Sequence, residues 1–500
     1  MSALPDIQPF SRRGLCPALS APMQTGDGLL SRVAFTDDLS PNDLATLCGL
    51  SRRHGNGLVD ITARGSFQFR GLTAESAVAL ERNVLELVLP LRQGLAVETS
   101  PLAGVDGSEI ADPRVIIRQI SENAMALRLH ERLAAKMSVI VDGSGLVLMG
   151  DLLADIRLKA VTLNRGVVWQ LMLGGGEDKA LLAGFLRTEN AADCVVELLS
   201  HLAELGPDAR GRDLDIDTVR QVCGARLLDV GGCGSPPSVL PDISPSRGEI
   251  GKTHASHPIQ TPLESREAFA SQSPPLRGRC PAGQRGVNHT HQRKLWPLKS
   301  NLSVAVIAPA FGQISSDALL ALCKKASELK VKSVRPGPPH ALYFLGTDEA
   351  CASLLGYAEN AGFIVSDNDP RTSIAVCSGS PACASAFAPV RELAEFAAKE
   401  CVQVLDGSFT LHLSGCGKGC AHPSPALLAF SGAPDGLAFG YCAKVSAAPD
   451  GVLPFADQKA ALSRLARLYE KEHKPGENAR ALLSRLGKAR IAEALRQDER

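Results

Sequence analysis

The sequence predicts an α+β fold made of two related halves in a pseudo-twofold arrangement. A stretch near residue 40 recurs near residue 315: at a constant offset of 275, Cys48 aligns with Cys323 and Phe69 with Phe344. Each copy changes from helical to strand periodicity and back, which is typical of mixed α+β units. With 500 residues the chain is long enough for about two to four domains. We therefore expect a duplication with a ligand cleft between the halves.

Each copy of the repeat predicts a helix, a strand pair and a second helix. In the first copy, apolar spacing favours helices at Asp43–Arg53 and Ala74–Leu87, and a hairpin of Leu58–Thr62 with Ser66–Arg70. Beyond it, an Asp-Gly pair predicts a turn between two further strands, Lys136–Val141 and Gly145–Met149. Other predicted elements are helices at Asp178–Leu186, Ala191–Leu205, Arg391–Glu400, Asp457–Lys471 and Asn478–Arg496, and short strands at Thr372–Val376 and Phe409–Leu413.

One segment between the halves, Ser235–Ser300, has neither a helical nor a strand period. Its 66 residues contain ten of the 32 prolines, nine Lys or Arg and only four Asp or Glu. This composition predicts a disordered insert or linker. A basic docking arm is the alternative.

The charge balance and the apolar content of the chain indicate which classes of function are not expected. Lys plus Arg and Asp plus Glu number 53 each, so the formal net charge is zero and no general attraction to nucleic acid or membranes is expected. The N-terminal MSALPDIQPFSRRG has no apolar centre typical of a signal peptide, and no run of about 18 apolar residues predicts a membrane span. We expect a cytoplasmic location, where thiols stay reduced.

Four cysteines in two pairs carry the strongest chemical signal. Cys377 and Cys383 stand in VCSGSPACAS, and Cys416 and Cys420 stand in HLSGCGKGCAHP. Each pair lies in a turn rich in small residues behind a short predicted strand. Four thiolates on two tight turns can hold a soft metal centre, and a [4Fe–4S] cluster is the leading interpretation. It would make the protein an electron-transfer protein.

Three other interpretations of the four cysteines remain open. Structural zinc usually has tighter Cys-x2-Cys pairs, disulfides conflict with a reducing compartment, and unpaired cysteines are often simply buried. The remaining cysteines are expected mostly to be small core residues: Cys16, Cys48, Cys194, Cys223, Cys233, Cys280, Cys323, Cys351, Cys401 and Cys442.

Basic side chains near the predicted hairpin suggest an anion site. Arg64 and Arg70 are six residues apart, so an extended strand directs both to one side, where guanidinium groups can bind carboxylates. Lys136 opens a predicted strand. Each of the three also has the plainer interpretation of a surface charge.

Three further residues lie in or beside the second cysteine turn. Lys418 lies inside it and would stabilise a negative cluster, while His412 and His422 flank it. Either histidine can be an iron ligand or a hydrogen-bonded structural residue.

Together these residues resemble the sulfite/nitrite reductase superfamily. The segments that carry the resemblance are SRRGLCPALSAPMQTGDGLLSRV, RHGNGLVDITARGSFQFRGL, SPLAGVDGSEIADPRV, KMSVIVDGSGL, LADIRL and, most specifically, HLSGCGKGCAHP. The resemblance implies two ferredoxin-like half-domains and two larger cofactor-binding domains. It predicts half-domains at 11–90 and 301–366, larger domains at 91–230 and 367–456, the insert at 231–300 and a helical tail at 457–500.

The resemblance also assigns site residues. It implies that Cys377, Cys383, Cys416 and Cys420 ligate a [4Fe–4S] cluster, with the Cys420 sulfur able to bridge to a second iron, either sirohaem or mononuclear non-haem iron. Arg64 and Lys136 would face a tetrapyrrole, and Arg70 and Arg157 are weaker candidates for the same role. In the second half Pro339 and His340 stand where Arg64 stands in the first, which departs from the superfamily pattern.

Within the superfamily, the chain is most similar to the oxygen-dependent monooxygenases of aerobic cobalamin biosynthesis. Their reaction hydroxylates precorrin-3A at C-20 and forms a γ-lactone, which requires oxygen and an electron donor, NADH-linked or ferredoxin-type. The alternative is a sirohaem-dependent assimilatory sulfite or nitrite reductase. A third class is a non-catalytic scaffold stabilised by iron–sulfur or zinc.

Overall fold

A computed structural model describes residues 17–163, 166–228 and 295–496, together with the backbone of residues 243–244 and 249–250. Most of the predicted insert Ser235–Ser300 lies outside the described residues, so its disorder stays a prediction. Its last residues are described, and Leu295–Pro297 pairs there with the following strand, so the irregular segment ends before Ser300. Within the described ranges, no helix is both long and apolar enough to cross a membrane.

The first half-domain packs two helices against an antiparallel sheet. Its elements are β1 Met23–Thr25, β2 Gly28–Val33, α1 Pro41–His54, β3 Leu58–Ile61, β4 Phe67–Leu72 and α2 Ala74–Glu86. The strand order is β1-β2-β4-β3. Helix α1 begins at a capping box, in which the Ser40 side chain accepts from the Asp43 N–H and the Asp43 carboxylate accepts from the Ser40 N–H.

The first large domain has a mixed sheet covered by helices. Its elements are β5 Ala96–Glu98, α3 Arg114–Ala126, β6 Ser138–Asp142, β7 Ile156–Leu163, β8 Gly166–Leu173, β9 Leu181–Leu186, α4 Thr188–Leu205 and α5 Ile216–Cys223. In the order β5-β6-β7-β8-β9, the first three strands are parallel and the last two pairings are antiparallel. Two short strands follow, β10 Ile243–Ser244 and β11 Glu249–Ile250.

The second half of the chain repeats both units. Its half-domain contains β12 Leu295–Pro297, β13 Ser303–Ile307, β14 Gln313–Ser315, α6 Ser316–Glu328, β15 Ser333–Gly337, β16 Ala341–Gly346 and α7 Asp348–Asn360. Its large domain contains β17 Ile374–Val376, α8 Val390–Glu400, β18 Leu411–Ser414, β19 Ala426–Ala433, β20 Gly436–Ala443, β21 Gly451–Leu453, α9 Gln458–Glu472 and α10 Ala479–Arg496.

The predicted duplication is confirmed element by element. Shifting α1 by 275 residues gives 316–329, and α6 spans 316–328; shifting β3 gives 333–336, and β15 spans 333–337. Strand order β12-β13-β16-β15 repeats β1-β2-β4-β3, and β17 to β21 repeat the order and directions of β5 to β9. The half-domains share one hydrophobic core, and β14 adds to the first sheet beside β3.

Two predicted elements are wrong. Gly145–Met149 is not a strand, because β6 pairs in parallel with β5 and β7 and the chain crosses over in a loop. A Cβ at Gly145 would lie 2.2 Å from the Asp106 carboxylate, so this glycine serves a close approach between loops rather than a hairpin. The predicted helix Asp178–Leu186 is instead a strand, β9, from Leu181 onward. A short apolar run is compatible with either element, and here the pairing with β8 determines that it is a strand.

The helices predicted at the C-terminal end of the chain pack into the second large domain. Leu462, Leu465 and Leu468 of α9 are buried in the core of the second large domain. Helix α9 follows β21 as α4 follows β9, so it belongs to the repeated unit.

Candidate iron–sulfur site

The two cysteine turns meet at one edge of the second large sheet. Strands β17 and β18 are parallel neighbours, with Val376 opposite Leu413, so their carboxyl ends lie side by side. Cys377 directly follows β17 and Cys416 follows β18 after one glycine. The N–H of that glycine, Gly415, donates to the Cys377 sulfur at 3.1 Å. Backbone donors of this kind stabilise thiolate charge.

The Cys383 turn is held by the first half-domain. The Gly26 N–H donates to the Ala382 carbonyl at 3.2 Å, and the Arg70 guanidinium donates to the same carbonyl at 2.8 Å. A Cβ at Gly26 would lie 2.4 Å from the Pro381 carbonyl oxygen, so the contact requires glycine. The position of one cysteine therefore depends on a unit more than 300 residues earlier in the chain.

The four thiols share one electrostatic environment. Burial raises the pKa of Cys420, and the charges of Cys377, Cys416 and Cys383 raise it further, whereas Lys418 lowers it. The Lys418 ammonium also donates to the Ser385 hydroxyl at 2.7 Å and so joins the two turns. Cys420 is exposed, while the other three are partly buried.

The donor set fits a cluster better than a single ion. In the part of the chain that the structure describes, no three His, Cys, Asp or Glu side chains are grouped closely enough to hold one metal ion. Tetrahedral zinc requires all four sulfurs about 2.3 Å from a single centre. In a [4Fe–4S] cluster each thiolate binds a different iron, so the sulfurs stand further apart. The four described cysteines thus offer the all-sulfur donor chemistry of a cluster, and they are not grouped as a single zinc ion requires.

His412 is the most unusual residue beside the cysteines. It is fully buried on β18, between Ala375 and Ala429 of the neighbouring strands, and neither ring nitrogen has a hydrogen-bond partner among the residues that the structure describes. The His422 ring packs edge-on against it, with centroids 5.5 Å apart. Burial, with His422, lowers the pKa of His412 to about 4, so the ring is neutral at pH 7. Of the two interpretations of His412, a hydrogen-bonded structural histidine lacks support.

The predicted basic residues fall into three places. Arg64 is 30% exposed and bonds the Glu98 carboxylate and the Leu153 carbonyl. Arg157 lies beneath the same loop and donates to the Met149 carbonyl at 2.9 Å. Burial lowers the pKa of Arg157, and the nearby Arg64 charge contributes to that shift. These two predicted residues are therefore brought together.

Arg70 and Lys136 lie elsewhere. Arg70 is only 3% exposed, and its guanidinium is bonded to Asp27 at 2.8 Å and to Asp60 at 3.0 Å. The structure therefore does not support its predicted contact with a tetrapyrrole: Arg70 joins the first half-domain to the Cys383 turn. Lys136 has an exposed side chain two residues before β6. Its predicted contact stays a prediction.

Sequence reasoning missed the carboxylates that hold Arg70. Asp60 is 7% exposed in the middle of β3, and it accepts from the Gln313 amide at 2.7 Å as well as from Arg70. A charged residue inside an otherwise apolar strand was the available signal. His340, which stands beside Pro339 at the position that aligns with Arg64, is half-buried between the half-domains, with its Nδ1 2.7 Å from the Ile61 carbonyl oxygen.

Glu109 carries a pH-dependent prediction. Its Oε1 is buried without a partner, its Oε2 accepts from the Gly104 N–H at 2.8 Å, and burial, with Asp106 and Asp112 nearby, raises its pKa to about 7. The folded protein thus keeps a proton that the unfolded chain loses near pH 4.5. The contribution of Glu109 to the free energy of unfolding is fully present below pH 4.5 and is lost as the pH rises to 7. Glu109→Gln should remove the decline and stabilise the protein by about 1 kcal/mol at pH 8, after discounting for solvent screening.

Unfolding midpoints in denaturant at pH 5.5, 6.5 and 8 measure this difference. Glu122→Gln, at an exposed position on α3, is the matched control. Parallel pH profiles for the parent and Glu109→Gln would contradict the assignment.

Comparison with known proteins identifies the family of this chain. Residues 21–87 match the nitrite/sulfite reductase ferredoxin-like half domain. A curated protein named precorrin-3B synthase, from Sinorhizobium sp, is 35% identical over 488 residues, which cover 97% of this chain and 95% of that protein. The solved structure of the Mycobacterium tuberculosis NirA protein aligns with a TM-score of 0.64 and 19% identity, covering 94% of this chain and 85% of that one. The last likeness concerns the fold, which is the sulfite/nitrite reductase-like architecture, whereas the curated relative extends over nearly the whole sequence. The chain is an enzyme that belongs to the precorrin-3B synthase family.

Proposed function

We propose that this enzyme is a monooxygenase that hydroxylates precorrin-3A at C-20 with γ-lactone formation, in aerobic cobalamin biosynthesis. The observation that carries the proposal is the full-length likeness to the Sinorhizobium precorrin-3B synthase. Its co-substrate would be oxygen, and an NADH-linked or ferredoxin-type donor would supply electrons. Cys377, Cys383, Cys416 and Cys420 would hold a [4Fe–4S] cluster, which would supply one-electron transfer, and the enzyme would also bind a second iron, as sirohaem or as non-haem iron.

The protein itself would supply hydrogen-bond donors and positive side chains that stabilise negative charge at the site. The Gly415 N–H and the Lys418 ammonium lie beside thiolates and offset negative charge there. Among the described residues, Arg157 donates only to carbonyls, at Met149, Gly150 and Leu152, although the charges of Glu177 and Asp142 act on it. Its positive field would reach Arg64, which is partly exposed, and together they would attract a carboxylate of the tetrapyrrole.

Anaerobic purification followed by iron, sulfide and porphyrin analysis, and then incubation with precorrin-3A and isotopically labelled oxygen gas, tests the proposal. We expect label from the gas in a product formed only with a reductant present. Unchanged precorrin-3A with a fully loaded enzyme would overturn it.

A sirohaem-dependent sulfite or nitrite reductase is the second candidate. The match of residues 21–87 to the reductase half-domain favours it. Extractable sirohaem, together with reduction of sulfite or nitrite by the same preparation, would support this candidate.

Arg64→Ala should weaken precorrin-3A binding by tens-fold or more while leaving the cluster absorbance unchanged. Losing one partner of a buried charge pair costs about 2–5 kcal/mol, and the lower part of this range applies because Arg64 is partly exposed. Anaerobic absorbance titration measures the affinity. Arg53→Ala, at the exposed end of α1, is the control. Parental affinity in Arg64→Ala would return Arg64 to a surface charge, and loss of the cluster would make it structural.

A further inference from the structure

Arg391 lies at the start of α8, where Val390 packs against Gly379 of the first cysteine turn, and it forms no ion pair with any residue that the structure describes. It is the second residue of α8, the helix that connects the two cysteine turns, and the helix has no side-chain N-cap. The Nε atom of Arg391 is buried without a hydrogen-bond partner. A positive side chain in the first turn also opposes the positive end of the helix dipole, where acidic residues are favoured. The position is therefore unfavourable unless an anion lies nearby.

The described carboxylates do not supply that anion. Asp60 interacts with Arg391 electrostatically, but its two oxygens are already bonded to Arg70 at 3.0 Å and to Gln313 at 2.7 Å. Glu392, in the same first turn, and Glu395, one turn further along α8, are both exposed, and neither forms an ion pair with Arg391 within 4.0 Å in the described structure.

What remains beside Arg391 is sulfur. Val390, the residue before Arg391, packs against Gly379 in the turn that follows Cys377, so the start of α8 lies beside this cysteine. Burial lowers the pKa of Arg391, and the charges of Asp60 and Cys377 act in the opposite direction. Cys377 is the cysteine that the Gly415 N–H already bonds. Thus a backbone donor and a side-chain cation both approach the same ligand.

We propose that Arg391 balances the negative charge of the cluster and raises its reduction potential. This inference rests on the proposed function, since it requires the cluster on the four cysteines. One-electron reduction adds one negative charge to the site, with no bond made or broken. A fixed cation in a poorly solvated position stabilises the reduced form more than the oxidised form. Arg391 would thus act on the cluster through its positive charge and would not bind iron.

Arg391→Met tests the proposal, because methionine keeps much of the side-chain volume and removes the charge. Iron and sulfide analysis first establishes that the variant holds four of each per chain. A potentiometric titration with dithionite and mediators, followed by electron paramagnetic resonance of the reduced cluster, then gives the midpoint. We expect the midpoint of Arg391→Met to fall by at least 59 mV, a tenfold change in the one-electron equilibrium.

Two further variants separate charge from packing. Arg391→Lys keeps the charge and should retain most of the parental potential, whether or not Arg391→Met assembles a cluster. Lys399→Met, at the exposed far end of α8, should leave the potential unchanged. A fully loaded Arg391→Met at the parental potential would overturn the inference, as would an Arg391→Lys potential as low as that of Arg391→Met. A parental protein that assembles no cluster would overturn the proposed function instead.

Discussion

Cys416→Ser is expected to abolish the broad visible absorbance of a [4Fe–4S] cluster in the anaerobically purified protein. Cys416 lies two residues beyond β18, opposite the Cys377 turn, so its loss leaves one iron of the cluster without a thiolate. Serine differs by one atom, which keeps steric disturbance small. The measurement is absorbance near the cluster band together with iron and sulfide content.

Cys442→Ser is the matched control, because Cys442 is an exposed cysteine of the same domain outside the two turns. It should retain parental iron and sulfide. A Cys416→Ser protein that still holds four irons and four sulfides would disprove the ligand assignment. The same result would favour the buried-cysteine interpretation for Cys416.

Arg70→Met should destabilise the protein by about 3–5 kcal/mol, because it leaves Asp27 and Asp60 without their cation. Burial raises the pKa of Asp27, yet the hydrogen bonds and charge of Arg70 lower it overall, so this carboxylate is ionised in the parent. The change also removes a donor to the Ala382 carbonyl, so we expect reduced cluster content as well. Denaturant unfolding of the purified protein measures the first effect, and iron analysis the second.

A second replacement shows whether unpaired charge is the cause. In the double variant Arg70→Met, Asp60→Asn, a neutral amide replaces one of the two carboxylates that Arg70→Met leaves without a cation. The free energy of unfolding should therefore partly recover. Arg53→Ala, on the exposed end of α1, should be nearly neutral. A double variant less stable than Arg70→Met alone would indicate that packing, not charge, dominates at this position.

Much of the fold could be predicted because the duplication leaves a pattern in the sequence. The offset of 275 residues places α1 on α6 and β3 on β15 to within a residue at each end. Helical and strand periods within each copy reflect local burial, which a single sequence records. The cysteine turns were likewise recognisable from composition, since small residues beside paired cysteines are a local feature.

The errors share a physical cause, namely dependence on distant partners. The run at Leu181–Leu186 is compatible with a helix until β8 lies beside it. Arg70 and Arg64 look equivalent on one strand face, but Asp27 and Asp60 bind Arg70, whereas Glu98 binds Arg64. Local spacing contains no information about which residue a guanidinium meets across the fold.

The pairing of β14 with β3 has a consequence for synthesis on the ribosome. Val59 of β3 pairs with Ile314 of β14, about 255 residues later. At an elongation rate of about 5–20 residues per second, the β3 edge remains unpaired for roughly 10–50 s before β14 is synthesised. During that interval an unpaired strand edge can pair with other nascent chains. Every residue of the Ser235–Ser300 segment prolongs the delay, so slower elongation or crowded polysomes should increase aggregation of this enzyme, and early chaperone binding should reduce it.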